Sequence, residues 1–167
     1  MLRQRQLILL LVALLLSACE SFNSSVPAYP VRASIDTRVG AFVHFQPTNT
    51  YSYVTINRDG YFFNGQYTLP LGATDAYGYG GILVYVIPAV NEQDAYVAYD
   101  LACSNCAEHG RCEPCQMNGM FAECPHCGEQ YDLSSGGAWP RNGIAHERLR
   151  PLDVKNFDGK LTISQKQ

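Results

Sequence analysis

From residue 29 to residue 100 the chain alternates β-branched or aromatic residues with polar ones, and the alternation is broken repeatedly by Gly, Pro, Asn and Asp. A period of two is the mark of a strand with one buried face, and the breaks are turn residues. The pattern predicts strands over 31–35, 41–45, 51–56, 82–87 and 95–101, and further strands over 129–133, 149–155 and 160–164. Asn57-Arg58-Asp59-Gly60 and Phe157-Asp158-Gly159 lie between apolar runs and read as hairpin turns. No window carries a sustained 3.6-residue period with caps. The expectation is therefore an all-β or predominantly β domain in which any helix is short.

The N-terminus follows a different pattern. Arg3 and Arg5 precede a wholly apolar run over 7–16, too short to span a bilayer, which needs about 20 residues. Residues 1–18 thus read as a secretory signal. The run ends in Leu16-Ser17-Ala18-Cys19, which resembles the lipobox of bacterial lipoproteins. That resemblance implies cleavage before Cys19, lipidation of Cys19 and a stable lipid anchor in the membrane of the bacterial cell envelope. Glu20 follows where an aspartate would retain the protein at the inner membrane, so the outer membrane is favoured. Residues 19–30 then form the lipidated cysteine and its tether, and residues 31–167, about 135 residues, suit one domain.

Charge narrows the partners. Twelve basic side chains less Arg3 and Arg5 leave ten against fifteen acidic ones, a formal charge of about −5 for the processed chain. Such a surface does not recruit nucleic acid or anionic lipid through charge. Eleven tyrosines, among them Tyr77, Tyr79, Tyr96 and Tyr99, fit half-buried strands better than a ligand-stacking surface. Gly78-Tyr79-Gly80-Gly81 precedes a strand and lacks a following Lys-Ser/Thr, so it is a turn and not a phosphate loop.

The chemistry is concentrated between residues 103 and 127, which hold six of the seven cysteines. Cys103/Cys106 and Cys124/Cys127 give the spacing C-x2-C-x17-C-x2-C. Two such turns bring four thiolates to one centre, a donor set suited equally to structural Zn2+ and to a [2Fe-2S] cluster. In Cys124-Pro125-His126-Cys127-Gly128 the proline fixes the approach and the glycine permits a positive φ after the second ligand. Cys112 and Cys115 stay open between a local disulfide, ligation in place of Cys103/Cys106, and free thiols. An all-disulfide arrangement of the six with no metal is the remaining possibility. His109 and His146 read as loop residues and His44 as a strand residue, none in a paired metal motif. No nucleophile–base pair is present, so catalysis by side chains is not indicated.

The residues after the second pair carry a family likeness. Cys124-Pro125-His126-Cys127-Gly128-Glu129-Gln130-Tyr131-Asp132-Leu133-Ser134-Ser135-Gly136 resembles the second ligand box of Rieske proteins. Gly143-Ile144-Ala145-His146-Glu147-Arg148-Leu149-Arg150-Pro151-Leu152-Asp153-Val154 is similar to the family's downstream segment, with Ile144 and Leu152 departing from it. The likeness covers about residues 80–164. It implies a Rieske-like small antiparallel β sandwich, with a cysteine-rich cluster-binding subdomain at about 101–140. It also implies a [2Fe-2S] cluster on Cys103, Cys106, Cys124 and Cys127, a single-electron carrier and an unidentified redox or envelope protein partner. The departure lies in the ligands: Rieske centres use two histidines, and here Asn105 and Cys127 occupy those positions. Replacing two neutral imidazoles by thiolates implies a lower potential, nearer the −400 mV of all-cysteine centres than the roughly −150 to +300 mV of Rieske centres. It also implies little pH dependence, because no ligand imidazole titrates.

Overall fold

The computed structural model describes residues 24–91 and 94–166. The expected signal, Cys19 and the first part of the tether lie outside the described residues. Among the described residues the chain forms β1 (Val31–Asp36), β2 (Tyr53–Asn57), β3 (Gly60–Phe63), β4 (Gln66–Leu69), β5 (Ala76–Tyr77), β6 (Ile82–Val86) and β7 (Tyr96–Asp100). A five-residue helix, Ser104–Glu108, follows, and then β8 (Gln116–Asn118), β9 (Phe121–Glu123), β10 (Gln130–Asp132), β11 (Trp139–Pro140), β12 (Pro151–Phe157) and β13 (Lys160–Gln165). The predominantly β expectation holds, and the helix is short.

Nine strands make one curled sheet in the order β4-β3-β2-β6-β7-β12-β13-β1-β5, antiparallel at every junction. Four more make a small antiparallel sheet, β11-β10-β9-β8. Alternation decides how the two layers meet. On β6, Ile82, Val84 and Val86 enter the core enclosed by the curl, with Ile35, Val54, Ile56, Leu161 and Ile163. Leu83 and Tyr85 point the other way, into a second core shared with Tyr131 and Leu133 of the small-sheet layer. On β7, Tyr96 and Ala98 join the first core while Tyr99 and the following Leu101 join the second. A strand buried on both faces is a continuous apolar run, as Ile82–Val86 is. Each such side chain withdrawn fully from water contributes about 1.5–3 kcal/mol. The second core is the one that contains the cysteines.

Two turns follow from their residues. Asp158-Gly159 joins β12 to β13 with Phe157 opposite Lys160, and Asn64-Gly65 joins β3 to β4 with Phe63 opposite Gln66. All four turn residues have positive φ, 48° and 75° in the first pair and 46° and 81° in the second, as two-residue hairpins of the mirror-image type require. The second hairpin escaped the sequence reading, although Asn-Gly is the strongest local hairpin signal. The strand expected over 41–45 is absent. Gly40–Phe42 forms a single 3-10 turn, and Phe42 and Phe45 are both buried. Apolar residues three apart belong on one side of a turn, whereas a strand would send them to opposite faces.

Candidate metal centre

The first cysteine pair sits where β7 leaves the main sheet. Asp100, 1% exposed, accepts the backbone N–H groups of Tyr79 (2.7 Å), Gly80 (2.8 Å) and Ala102 (2.9 Å), which fixes the exit path of the strand. Cys103 then caps the helix Ser104–Glu108, with the Ala107 N–H donating to its carbonyl at 2.9 Å, so Cys106 returns one turn later on the same side. The chain comes back antiparallel through 113–115, with Cys103 N–H to Glu113 O at 3.0 Å and Cys115 N–H to Leu101 O at 2.8 Å. Cys115 is thereby placed beside Cys103, in the same buried cluster.

The second pair is the loop of the β9–β10 hairpin. Gln130 faces Glu123, and Cys124 N–H donates to Glu129 O while Gly128 N–H donates to Cys124 O. Gly128 has φ +76°, the conformation the Cys-x-x-Cys-Gly sequence requires after its second cysteine. The N–H groups of Cys127 and His126 are directed at the Cys124 sulfur, and that of Cys106 at the Cys103 sulfur. Both turns therefore aim backbone dipoles at the first sulfur of the pair, which favours thiolate there.

The two turns face each other across the second core. Cys103 Sγ lies 3.6 Å from Cys127 Sγ, Cys106 Sγ lies 3.6 Å from Cys124 Sγ, and all four sulfurs fall within 4.8 Å of one another. Cys103, Cys106 and Cys124 are buried, and Cys127 is half-buried at the rim. A tetrahedral ion with metal–sulfur bonds of about 2.3 Å has sulfur–sulfur edges of about 3.8 Å, so the donor set fits a single metal ion. Its electrostatics point the same way. Hydrogen bonding from the Cys115 thiol pulls the Cys103 thiol well below its usual range, against the opposing effect of burial. Burial and the neighbouring sulfurs push Cys106 up, and burial lifts Cys124 to about 11. Burial and mutual repulsion thus oppose further ionisation at Cys106 and Cys124. A bound metal would offset that opposition.

Further polar groups brace the centre. The Tyr131 hydroxyl is 3.4 Å from Cys103 Sγ, accepts the Ser104 N–H at 3.1 Å and lies 2.9 Å from Ser104 Oγ. Ser104 Oγ in turn donates to the Glu147 carbonyl at 2.9 Å. Burial pushes the Tyr131 phenol upward, so it stays a donor.

Glu129 went unremarked as a functional residue in the sequence, and it is the most heavily bonded carboxylate of the site. It is fully buried. Its Oε1 accepts the N–H groups of Gln130 (2.9 Å), Arg141 (3.0 Å) and Asn142 (2.7 Å), and its Oε2 those of Ile144 (2.7 Å) and Ala145 (2.8 Å). Burial alone would raise its pKa, but the amide donors outweigh it and the net direction is down. The carboxylate thus ties the 141–145 loop to the second cysteine turn, helped by Asn142 Nδ2–H to Gly128 O at 2.8 Å. A signal existed: Glu129 shares the parity of Tyr131 and Leu133, both fully buried on the inner face.

Cys112 and Cys115 are free thiols. Cys112 is exposed, its Sγ 3.1 Å from the Tyr79 carbonyl, while Cys115 turns inward to Cys103, so the loop separates the pair. His109 bonds the Asn105 carbonyl at 2.8 Å and His126 bonds Arg111, both at the surface. Among the described residues no histidine joins the sulfur group.

No protein-family model matches this sequence, and no curated protein matches it significantly. What fold and site define on their own is a β-rich protein with a buried four-cysteine group able to hold a metal.

Proposed function

We propose that this chain is a lipid-anchored protein of the bacterial envelope whose Rieske-like head binds one metal ion through Cys103, Cys106, Cys124 and Cys127, with Zn2+ the best-suited occupant and a structural role. The observation that carries this reading is the compactness of the donor set, with four sulfurs within 4.8 Å of one another. Two irons side by side would hold one sulfur pair on each and push the pairs apart beyond the edge of a single tetrahedron. Bound there, the ion would join the β7 exit, the helix and the β9–β10 hairpin, three pieces that meet at the sulfurs. Structural zinc of this kind contributes directly to folding.

A second reading, a [2Fe-2S] single-electron carrier with an envelope redox partner, is favoured by a different observation. The backbone N–H groups of Cys127, His126 and Cys106 are aimed at sulfur, and hydrogen bonds to sulfur tune cluster potentials. Cys127 at the rim would give electrons a short path out. The processed protein, purified without oxygen, separates the two. One zinc per chain and no visible absorption supports the structural reading. Two irons with two sulfides, visible absorption and a low potential nearly constant between about pH 6 and 9 supports the carrier. Oxidised thiols with no metal would refute both.

A further inference from the structure

We infer that the face carrying Ser25, Glu147 and Trp139 lies against the lipid surface, so that the four-cysteine centre is held at the membrane interface. The inference rests on the lipidation of Cys19 proposed above and adds to it an orientation.

The first described residues do not trail away from the domain. Ser25 N–H donates to Glu147 Oε2 at 2.9 Å, and Ser25 Oγ lies 3.2 Å from the same oxygen and 3.0 Å from the Ser104 carbonyl. Val26 is fully buried, and its carbonyl accepts Arg150 Nη1–H at 2.7 Å. The tether is therefore docked beside the first cysteine turn. Ser104 follows Cys103 directly, and the Tyr131 hydroxyl bonds to both.

Chain length sets the reach. Five residues separate Cys19 from Ser25, and the six steps of chain between them, fully extended, span at most about 20 Å. A lipid on Cys19 would thus keep the 146–150 loop near the bilayer surface. That loop has the composition for it. Arg150 is held by the Val26 carbonyl and Arg141 lies over the Phe121 ring, which leaves Arg148 as the cation beside the exposed aromatic ring of this face. Arg148 stacks on Trp139, 5.3 Å from the ring centroid, and Trp139 is 56% exposed. The Leu149 N–H to Ala138 O bond at 3.1 Å holds the two segments together, and Ile144 on the adjoining loop is 40% exposed. An exposed tryptophan stacked on an arginine suits the headgroup region, where the ring is half-solvated and the guanidinium can meet a lipid phosphate. One ring and one cation bind weakly alone, but a covalent anchor makes the contact intramolecular. Whatever partner the centre serves would then be in or on the same membrane.

The test uses the single tryptophan of the chain as donor. The full-length lipoprotein is reconstituted in phosphatidylethanolamine–phosphatidylglycerol vesicles carrying a dansyl headgroup lipid, and Trp139 energy transfer is measured. The expected result is strong transfer that falls at least threefold when a 20-residue Gly-Ser spacer is inserted between Phe22 and Asn23, which adds about 25 Å of mean reach. A protein that floats with the vesicles yet shows no transfer, or equal transfer with and without the spacer, overturns the inference while leaving lipidation intact. A protein that does not float, with an unmodified Cys19 peptide by mass, overturns lipidation and the inference with it.

Discussion

Replacing Glu129 by Gln tests whether the buried carboxylate is what closes the 141–145 loop over the second cysteine turn. The substitution keeps the shape and removes the charge. Three N–H donors converge on Oε1 and two on Oε2, so the amide does least harm by turning its oxygen to the three and its NH2 to Ile144 and Ala145. Two charge-assisted bonds are then lost, at about 1.5–3 kcal/mol each, and two buried donors face a third donor. The sum is about 3–6 kcal/mol, a large share of the 5–15 kcal/mol that holds a domain of this size. At about 2–4 °C per kcal/mol, the thermal midpoint should fall by about 6–24 °C. The loop also braces the Cys127 end of the site through Asn142 and Gly128, so the metal-loaded variant should surrender its ion to a chromogenic chelator faster than the parent at the same temperature. Thermal melts by circular dichroism and chelator-release kinetics give the two readings. A midpoint within 2 °C of the parent and an unchanged release rate would refute the role assigned to Glu129.

The cysteines should divide sharply. Cys124→Ser should abolish stoichiometric metal binding, while Cys112→Ser, at an exposed thiol, should leave metal content unchanged and stability within about 0.5 kcal/mol, both read by elemental analysis and denaturant unfolding. Gly80→Ala should be severe, because an added Cβ would stand 2.2 Å from the Ala102 nitrogen and 2.5 Å from its Cα, backbone atoms next to Cys103 that cannot step aside. Its cost should be about 3 kcal/mol or more with weakened metal binding, against about 1 kcal/mol for Gly119→Ala, whose Cβ meets nothing within 4 Å and suffers only its +61° φ. Asp100 gives a pH prediction. Burial raises its pKa in the folded state, more than the amides of Ala102, Tyr79 and Gly80 and the charge of Arg150 lower it. Its contribution is therefore fully present below the ordinary carboxyl value and is lost as pH rises through the folded pKa. The stability of the parent relative to Asp100→Asn should be greater at pH 4 than at pH 7 in urea titrations, and a gap that widens with pH would contradict the assignment.

Much of the fold was legible locally. The strand over 82–87 is expected from β-branched and aromatic residues bounded by turn residues, and the structure places it at Ile82–Val86, buried on both faces. Asp158-Gly159 declared its hairpin because few residues accept two successive positive φ values. The 41–45 strand failed for the complementary reason: Phe42 and Phe45 are apolar in the right density but at a spacing of three, and composition was read where spacing should have decided. Short strands such as Gln116–Asn118 and Trp139–Pro140 carry too few residues for any period to show; they exist because β9 and β10 already stand beside them.

The site divides along the same line. By itself the sequence determined which residues can be donors and how each Cys-x-x-Cys turn is shaped, because a thiolate pair two residues apart and a glycine after it are constraints within one turn of chain. Only the tertiary structure decided that the two turns meet with four sulfurs inside 4.8 Å, that Cys115 lies beside Cys103 while Cys112 is exposed, and that Glu129 gathers four amides from a loop up to sixteen residues further on. It alone set Ser25 against Glu147, 122 residues away. Those contacts are made between segments whose separation along the chain carries no local signature. They are fixed by two sheets packing through one core, where closing each long loop is offset by the burial of apolar faces that neither sheet can cover alone.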